Sequence, residues 1–148
     1  MRDRPGSAVK RIVVILVLLL GMAGCGVKTF PVPPRRLPPP PAANLSAEVS
    51  GGTLTLSWQI QKAEDGKNAA AGFRVYRSKE PVSEPDCKTC PVTYEQVADL
   101  AVSDTDREKG RMIHTESLEK GYRYKYKVTV YGVGEIVGQD SESVNIVY

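Results

Sequence analysis

The sequence predicts an all-β fold: a seven-stranded antiparallel β-sandwich that follows a signal helix and a proline-rich extended linker. Three observations carry this expectation. Residues 44–148 alternate apolar and polar side chains in short runs, the period of a strand buried on one face. Turn-forming clusters separate the runs, and about seven such strands in roughly a hundred residues is the spacing of a sandwich. No stretch in that region has a helical period, and no internal repeat is present.

The chain opens on basic residues, Arg2, Arg4, Lys10 and Arg11, and then an unbroken apolar run of nine residues, 12–20. A helix that crosses a bilayer needs about 20 apolar residues, so this run does not span one. Met22, Ala23 and Gly24 then lead to Cys25. A basic end, an apolar middle and small residues before a cut make a secretory signal peptide. A cysteine directly after the small residues resembles the lipobox of bacterial lipoproteins, with Met22 where that motif usually has Leu. The resemblance implies cleavage between Gly24 and Cys25, a thioether-linked diacylglycerol on Cys25, and an acyl chain such as palmitate on the new amino terminus. Gly26, not Asp, follows the cysteine, which by analogy with enteric sorting signals implies the outer membrane. The predicted location is therefore lipid-anchored at the outer membrane, with the domain in the periplasm or at the cell surface.

Removal of residues 1–24 takes away four basic side chains and one acidic one, leaving sixteen of each sign. The apparent basicity belongs to the signal and gives no reason to expect nucleic acid. The expected organisation is a signal peptide over 1–24, a lipidated cysteine and tether over 25–43, and one domain over 44–148. Seven of the eleven prolines lie in residues 26–43, so this segment makes neither ladder nor helix and runs as extended polyproline II. Its PxxP spacings, Pro31 to Pro34 and Pro38 to Pro41, come nearly free in so proline-rich a stretch. Cys25-Gly26-Val27-Lys28 with Pro31, Pro33 and Pro34 is similar to the segment after the lipobox in a family of very small outer-membrane lipoproteins. That family assists maturation of the lipopolysaccharide translocon. Thr29 departs from its pattern.

The strands follow in order. Leu45, Ala47 and Val49 alternate, and Ser50-Gly51-Gly52 turns the chain. Residues 53–58 place Leu54, Leu56 and Trp58 on one face. Residues 62–71 are a polar loop. Residues 72–77 turn Phe73 and Val75 inward and Arg74 and Tyr76 outward. Residues 78–92 form a long loop with Cys87 and Cys90, and Tyr94, Val97 and Leu100 mark a short edge strand. Residues 103–106 and 109–110 read as turns around a strand at 112–115. Residues 122–130 alternate without error: Tyr124, Tyr126, Val128 and Val130 against Arg123, Lys125, Lys127 and Thr129. Gly132, Gly134 and Gly138 loosen the next connection. Val144, Ile146 and Tyr148 share the face of a last strand.

Leu54-x-Leu56-x-Trp58, Gly72-Phe73-x-Val75-Tyr76 and Leu118-x-x-Gly121-x-x-Tyr124-x-Tyr126-x-Val128 together resemble a fibronectin type III domain over residues 44–148. The resemblance implies that Trp58 fills the core. It implies too that the Tyr124 hydroxyl bonds backbone a few residues upstream, as a tyrosine corner. Such a fold fixes no function.

Chemistry-bearing residues are few. Cys87 and Cys90 have CxxC spacing, in a loop of an all-β chain. A local disulfide, a reduced or metal-bound pair and a redox centre all remain open, the disulfide favoured by an exported compartment. A metal site needs more ligands, and His114, the one histidine, lies far along the chain. Asp104, Asp106 and Glu108 resemble a calcium loop in spacing but lack its Gly and distal Glu, so they read as turn formers. Arg123, Lys125 and Lys127 form a basic row on the outer face, with Arg74 and Tyr76 beside them. That face would touch an acidic partner or an anionic glycan, or simply serve as the wet face of a sheet. The expectation is a non-enzymatic, lipid-anchored interaction module. Its partners would be the membrane and an envelope protein or polysaccharide, with no metal, no nucleic acid and no small-molecule substrate. The alternative is an outer-membrane assembly accessory that engages the lipopolysaccharide translocon through residues 25–34.

Overall fold

The computed structural model describes residues 37–63, 68–85 and 89–148. The chain divides into two units, Met1–Pro34 and Arg35–Tyr148. The signal segment, Cys25 and residues 26–36 lie outside the described residues, as does Cys87.

The described strands are β1 (Ala43–Ser50), β2 (Thr53–Gln59), β3 (Ala70–Pro81), β4 (Glu95–Ala101), β5 (Arg111–Ser117), β6 (Tyr122–Gly132), β7 (Val137–Asp140) and β8 (Val144–Val147). One short helix, α1 (Asp104–Lys109), joins β4 to β5. One sheet runs β1-β2-β5 and the other β4-β3-β6, with β7 and β8 in succession along the remaining side of β6. All pairings are antiparallel.

The inner faces interdigitate where the alternation places apolar residues. Leu54, Leu56 and Trp58 of β2 meet Phe73 and Val75 of β3 and Tyr126, Val128 and Val130 of β6, all fully buried. Each large apolar side chain removed from water contributes about 1.5–3 kcal/mol. Trp58 packs edge-on against Phe73 with ring centroids 5.7 Å apart. The β1–β2 hairpin closes through Gly51 and Gly52, both at positive φ (57° and 83°), as a two-residue turn matching strand twist requires.

Four local expectations are corrected. The strand at 72–77 runs over Ala70–Pro81, because its partner β6 offers an unbroken ladder from Tyr131 to Tyr122 and, past a register shift at residue 71, pairs Gly132 with Ala70. The connection expected after residue 132 holds a further strand, β7, ahead of the expected last one. Ser141 separates β7 from β8 by donating its own N–H to Val128 O at 2.8 Å and accepting Val128 N–H on its hydroxyl at 2.9 Å. The acids Asp104, Asp106 and Glu108 are not in a turn but on α1. Ser103 caps that helix: its hydroxyl accepts the Asp106 N–H at 3.2 Å, and the Asp106 carboxylate accepts the Ser103 N–H at 3.1 Å. Gly110, at φ 64°, ends it.

The folded unit also starts ahead of residue 44. Pro39 is buried, Ala42 joins the core, and β1 begins at Ala43. Gly132 and Gly138 make this docking fit. A Cβ on Gly132 would stand 3.3 Å from Pro39 Cδ, and one on Gly138 would stand 2.8 Å from Pro39 O. The end of the proline run is therefore part of the sandwich.

Candidate interaction surface

The outward side chains of β3 and β6 form the face that the sequence marks out. Register sets Arg74 opposite Thr129, Tyr76 opposite Lys127, Ser78 opposite Lys125 and Glu80 opposite Arg123. The basic row is thus assembled, but its charges are not equivalent.

Arg74 is compensated. Its guanidinium bonds Asp99 of β4 at 3.2 Å and also pairs with Glu135, and it lies over the Tyr131 ring at 4.7 Å. Gly72 lets Tyr131 lie flat across β3, since a Cβ there would overlap the ring. Lys127 is compensated too. Its ammonium bonds Asp140 at 2.7 Å and sits over Tyr94 at 4.6 Å and Tyr76 at 5.7 Å. Burial pushes the Asp140 carboxyl up, but the Lys127 and Thr129 bonds more than offset it and hold it below its usual range.

Arg123 and Lys125 form no ion pair among the described residues. Arg123 instead donates to two backbone carbonyls, Val82 O at 3.4 Å and Glu84 O at 2.7 Å, and its Nε is buried with no partner among the described residues. It thereby ties down the first turn of the loop over 82–94. Arg123 and Lys125 share a groove of about 390 Å³. Ser78, Lys125 and Asn145 line it together with Cys90 and Val92 of the loop, and Glu80 is the one carboxylate among its lining residues. Cys90 is disulfide-bonded, and its partner lies outside the described residues. Among the described residues no cluster of three His, Cys, Asp or Glu side chains is arranged to hold a metal ion.

A second polar cluster lies between the sheets, and sequence reading missed it. Arg77 follows Phe73 and Val75 in the inward-facing parity of β3, and it carries charge into the flank between β4 and β5. Its guanidinium pairs with Glu95 of β4 and reaches Glu116 of β5 at 3.3 Å. Glu116 also accepts from the Tyr126 hydroxyl and lies 3.6 Å from His114 Nε2. Burial pushes the Glu116 carboxyl up; His114, Tyr126 and Arg77 outweigh this and hold it below its usual range. Burial and the Glu116 bond push the Tyr126 hydroxyl far up, so it stays a donor. The signal was the period itself: continuing 73, 75, 77 inward puts Arg77 opposite Tyr126.

Trp58 and Tyr124 are core residues. Tyr124 is buried with its ring stacked on Tyr126, and its hydroxyl accepts the Glu119 N–H at 2.9 Å and donates to Glu119 O at 3.1 Å.

No family model matches the chain, and no curated protein matches it. Solved structures do. The third fibronectin III domain of the human KIAA0343 protein is similar with a TM-score of 0.53 at 16% identity, covering 82% of this chain and 91% of that one. The twitchin kinase region from C. elegans, which contains a fibronectin domain, is similar with a TM-score of 0.52 at 11% identity, covering 75% of this chain and 17% of that one. At these identities the likeness establishes the fold alone: the domain is a fibronectin type III-like β-sandwich.

Proposed function

We propose that the chain is a lipid-anchored envelope protein, held at the outer membrane through Cys25, whose sandwich is a non-catalytic interaction module. Its binding surface is the groove between β6, β8 and the disulfide-bearing loop, and its partner carries carboxylates there. One observation carries this reading. The cations at Arg74, Arg77, Lys79 and Lys127 are all compensated by carboxylates, while among the described residues the neighbouring Arg123 and Lys125 are not, and both line one groove. Charges left uncompensated beside a low-dielectric wall attract the opposite sign and orient it. The Cys90 disulfide, proposed here as a pair with Cys87, fixes the loop that forms the wall.

A photo-crosslinking side chain at Asn145 tests the groove in cells, with Thr55 on the other sheet as control. Adducts form from position 145 and not from 55, and Lys125→Glu reduces them severalfold. Equal adducts from both positions, or adducts insensitive to Lys125→Glu, remove the groove as the surface. The alternative role, engagement of the lipopolysaccharide translocon through residues 25–34, falls outside the described residues. It is separated by changing 28–34 with the sandwich intact, which abolishes partner capture only in that alternative.

A further inference from the structure

The end of the sandwich where the chain enters has its own chemistry. Pro39 docks against Gly132 at the end of β6 and Gly138 in β7, so residue 39 lies beside the β6–β7 hairpin and Leu37 stands two residues before it. The tip of that hairpin is not polar, although Asn, Asp and Ser are the usual turn formers with Gly. Val133 is 72% exposed and Val137 53%, and Leu37 is 60% exposed two residues before Pro39. The polar groups that belong to the tip are turned back onto the sandwich. Glu135, at φ 59°, pairs with Arg74, and the Tyr131 hydroxyl donates to Asp99 at 2.8 Å. The Glu135 carboxylate is thereby paired, although its side chain stays 68% exposed, and three apolar side chains stand exposed beside it. Exposed apolar residues occurring singly need no explanation, but three gathered at one junction do.

We propose that this end of the sandwich is a membrane-contact surface, on which Leu37, Val133 and Val137 rest against lipid. The inference depends on the lipid anchor at Cys25. Leu37 lies twelve residues after that cysteine. A stretch of that length spans at most roughly 35–40 Å, a bound that permits this seating without forcing it. The apolar contact supplies the orientation. The acids of α1 lie at the same end, since β4 and β5 meet the helix where Gly72 and Gln59 pair with them. Attraction to anionic headgroups is thus not the driving force, and neutral lipid suffices. The Arg123–Lys125 groove, at the Tyr122 end of β6, is then held away from the bilayer.

The test uses the full lipidated protein in phosphatidylcholine vesicles containing a shallow brominated lipid. An environment-sensitive dye is placed at Val133→Cys or, as control, at Val147→Cys near the other end of β6. Vesicle flotation measures the anchor separately. Seating predicts co-flotation, with quenching severalfold greater at 133 than at 147 and little changed by 0.5 M salt. A Val137→Glu substitution added to the 133-labelled protein reduces that quenching severalfold. Co-flotation with equal quenching at both positions overturns the seating and leaves the anchor standing. Absence of flotation overturns both.

Discussion

Arg77 Nη1 lies 3.3 Å from Glu116 Oε1, and this pair joins the two sheets across the flank between β4 and β5. Apolar side chains hold the sheets together elsewhere. Here an arginine from β3 and a glutamate from β5 do so, with Glu95 and the Tyr126 hydroxyl completing the set.

Removing one partner leaves the other without its counter-charge. Glu116 has a side chain only 15% exposed, so it cannot turn fully to water. Arg77→Ala should destabilise the sandwich by about 2 kcal/mol, the partial exposure holding the cost below that of a fully buried pair. Arg77→Met combined with Glu116→Leu should restore most of the loss. Urea denaturation of the full chain measures both. A single Arg77→Ala variant as stable as the parent would show that the pair contributes nothing.

Acid should weaken the fold through three carboxylates. Glu116, Asp140 and Asp106 are each held below their usual range: Glu116 and Asp140 by ion pairs and hydrogen bonds that offset burial, Asp106 by the Ser103 bonds. A depressed folded pKa stabilises above the unfolded value and loses that contribution as pH falls through the folded one. Melting temperature should therefore stay level down to about pH 5 and fall below about pH 4, around the ordinary carboxylate range. Glu116→Gln should flatten part of that fall. An acid limb unchanged in Glu116→Gln would take this carboxylate out of the account.

Tyr124→Phe keeps the ring in the core and deletes only the hydroxyl that spans Glu119 N and O. The expected cost is about 1 kcal/mol, with the fold retained, because a hydrogen bond of this kind contributes that much net. Thermal melting checks it; an identical midpoint would mean that water replaces the hydroxyl without loss.

Gly138→Ala should undo the docking of Pro39. The new Cβ would stand 2.5 Å from Val130 Cγ1 and 2.8 Å from the Pro39 carbonyl oxygen, and the second is backbone. Overpacking of this kind costs about 1–3 kcal/mol. Residues 37–42 should become cleavable by protease while β2, β3 and β6 stay protected. Retained resistance at 37–42 would show that the segment shifts without leaving.

The strands with clean alternation were legible because their faces meet different solvents. Thr53 to Trp58 and Tyr122 to Val130 each carry one buried face, and period two declares it. Helix α1 was not legible: six residues are too few to show a period, and Ser103 with Asp106 reads equally as a turn. β7 was hidden by Gly134 and Gly138, which look like loop. Arg77 was hidden by its charge, though its parity was right. The basic face was legible as a set of positions, but which of its cations are compensated depends on Asp99, Glu135 and Asp140, brought there by other strands. The groove depends on a loop folding back over β6, and the slot for Pro39 on two glycines far along the chain. Neither leaves a local mark.

The interruption at Ser141 bears on crowding. Many copies confined to one surface collide edge-on far more often than copies in bulk. A long free border of unpaired amides and carbonyls would then recruit the neighbouring molecule into a growing ribbon. Split into β7 and β8, of four residues each, that border offers a colliding neighbour shorter templates than the intact edges β1, β4 and β5, of eight, seven and seven residues.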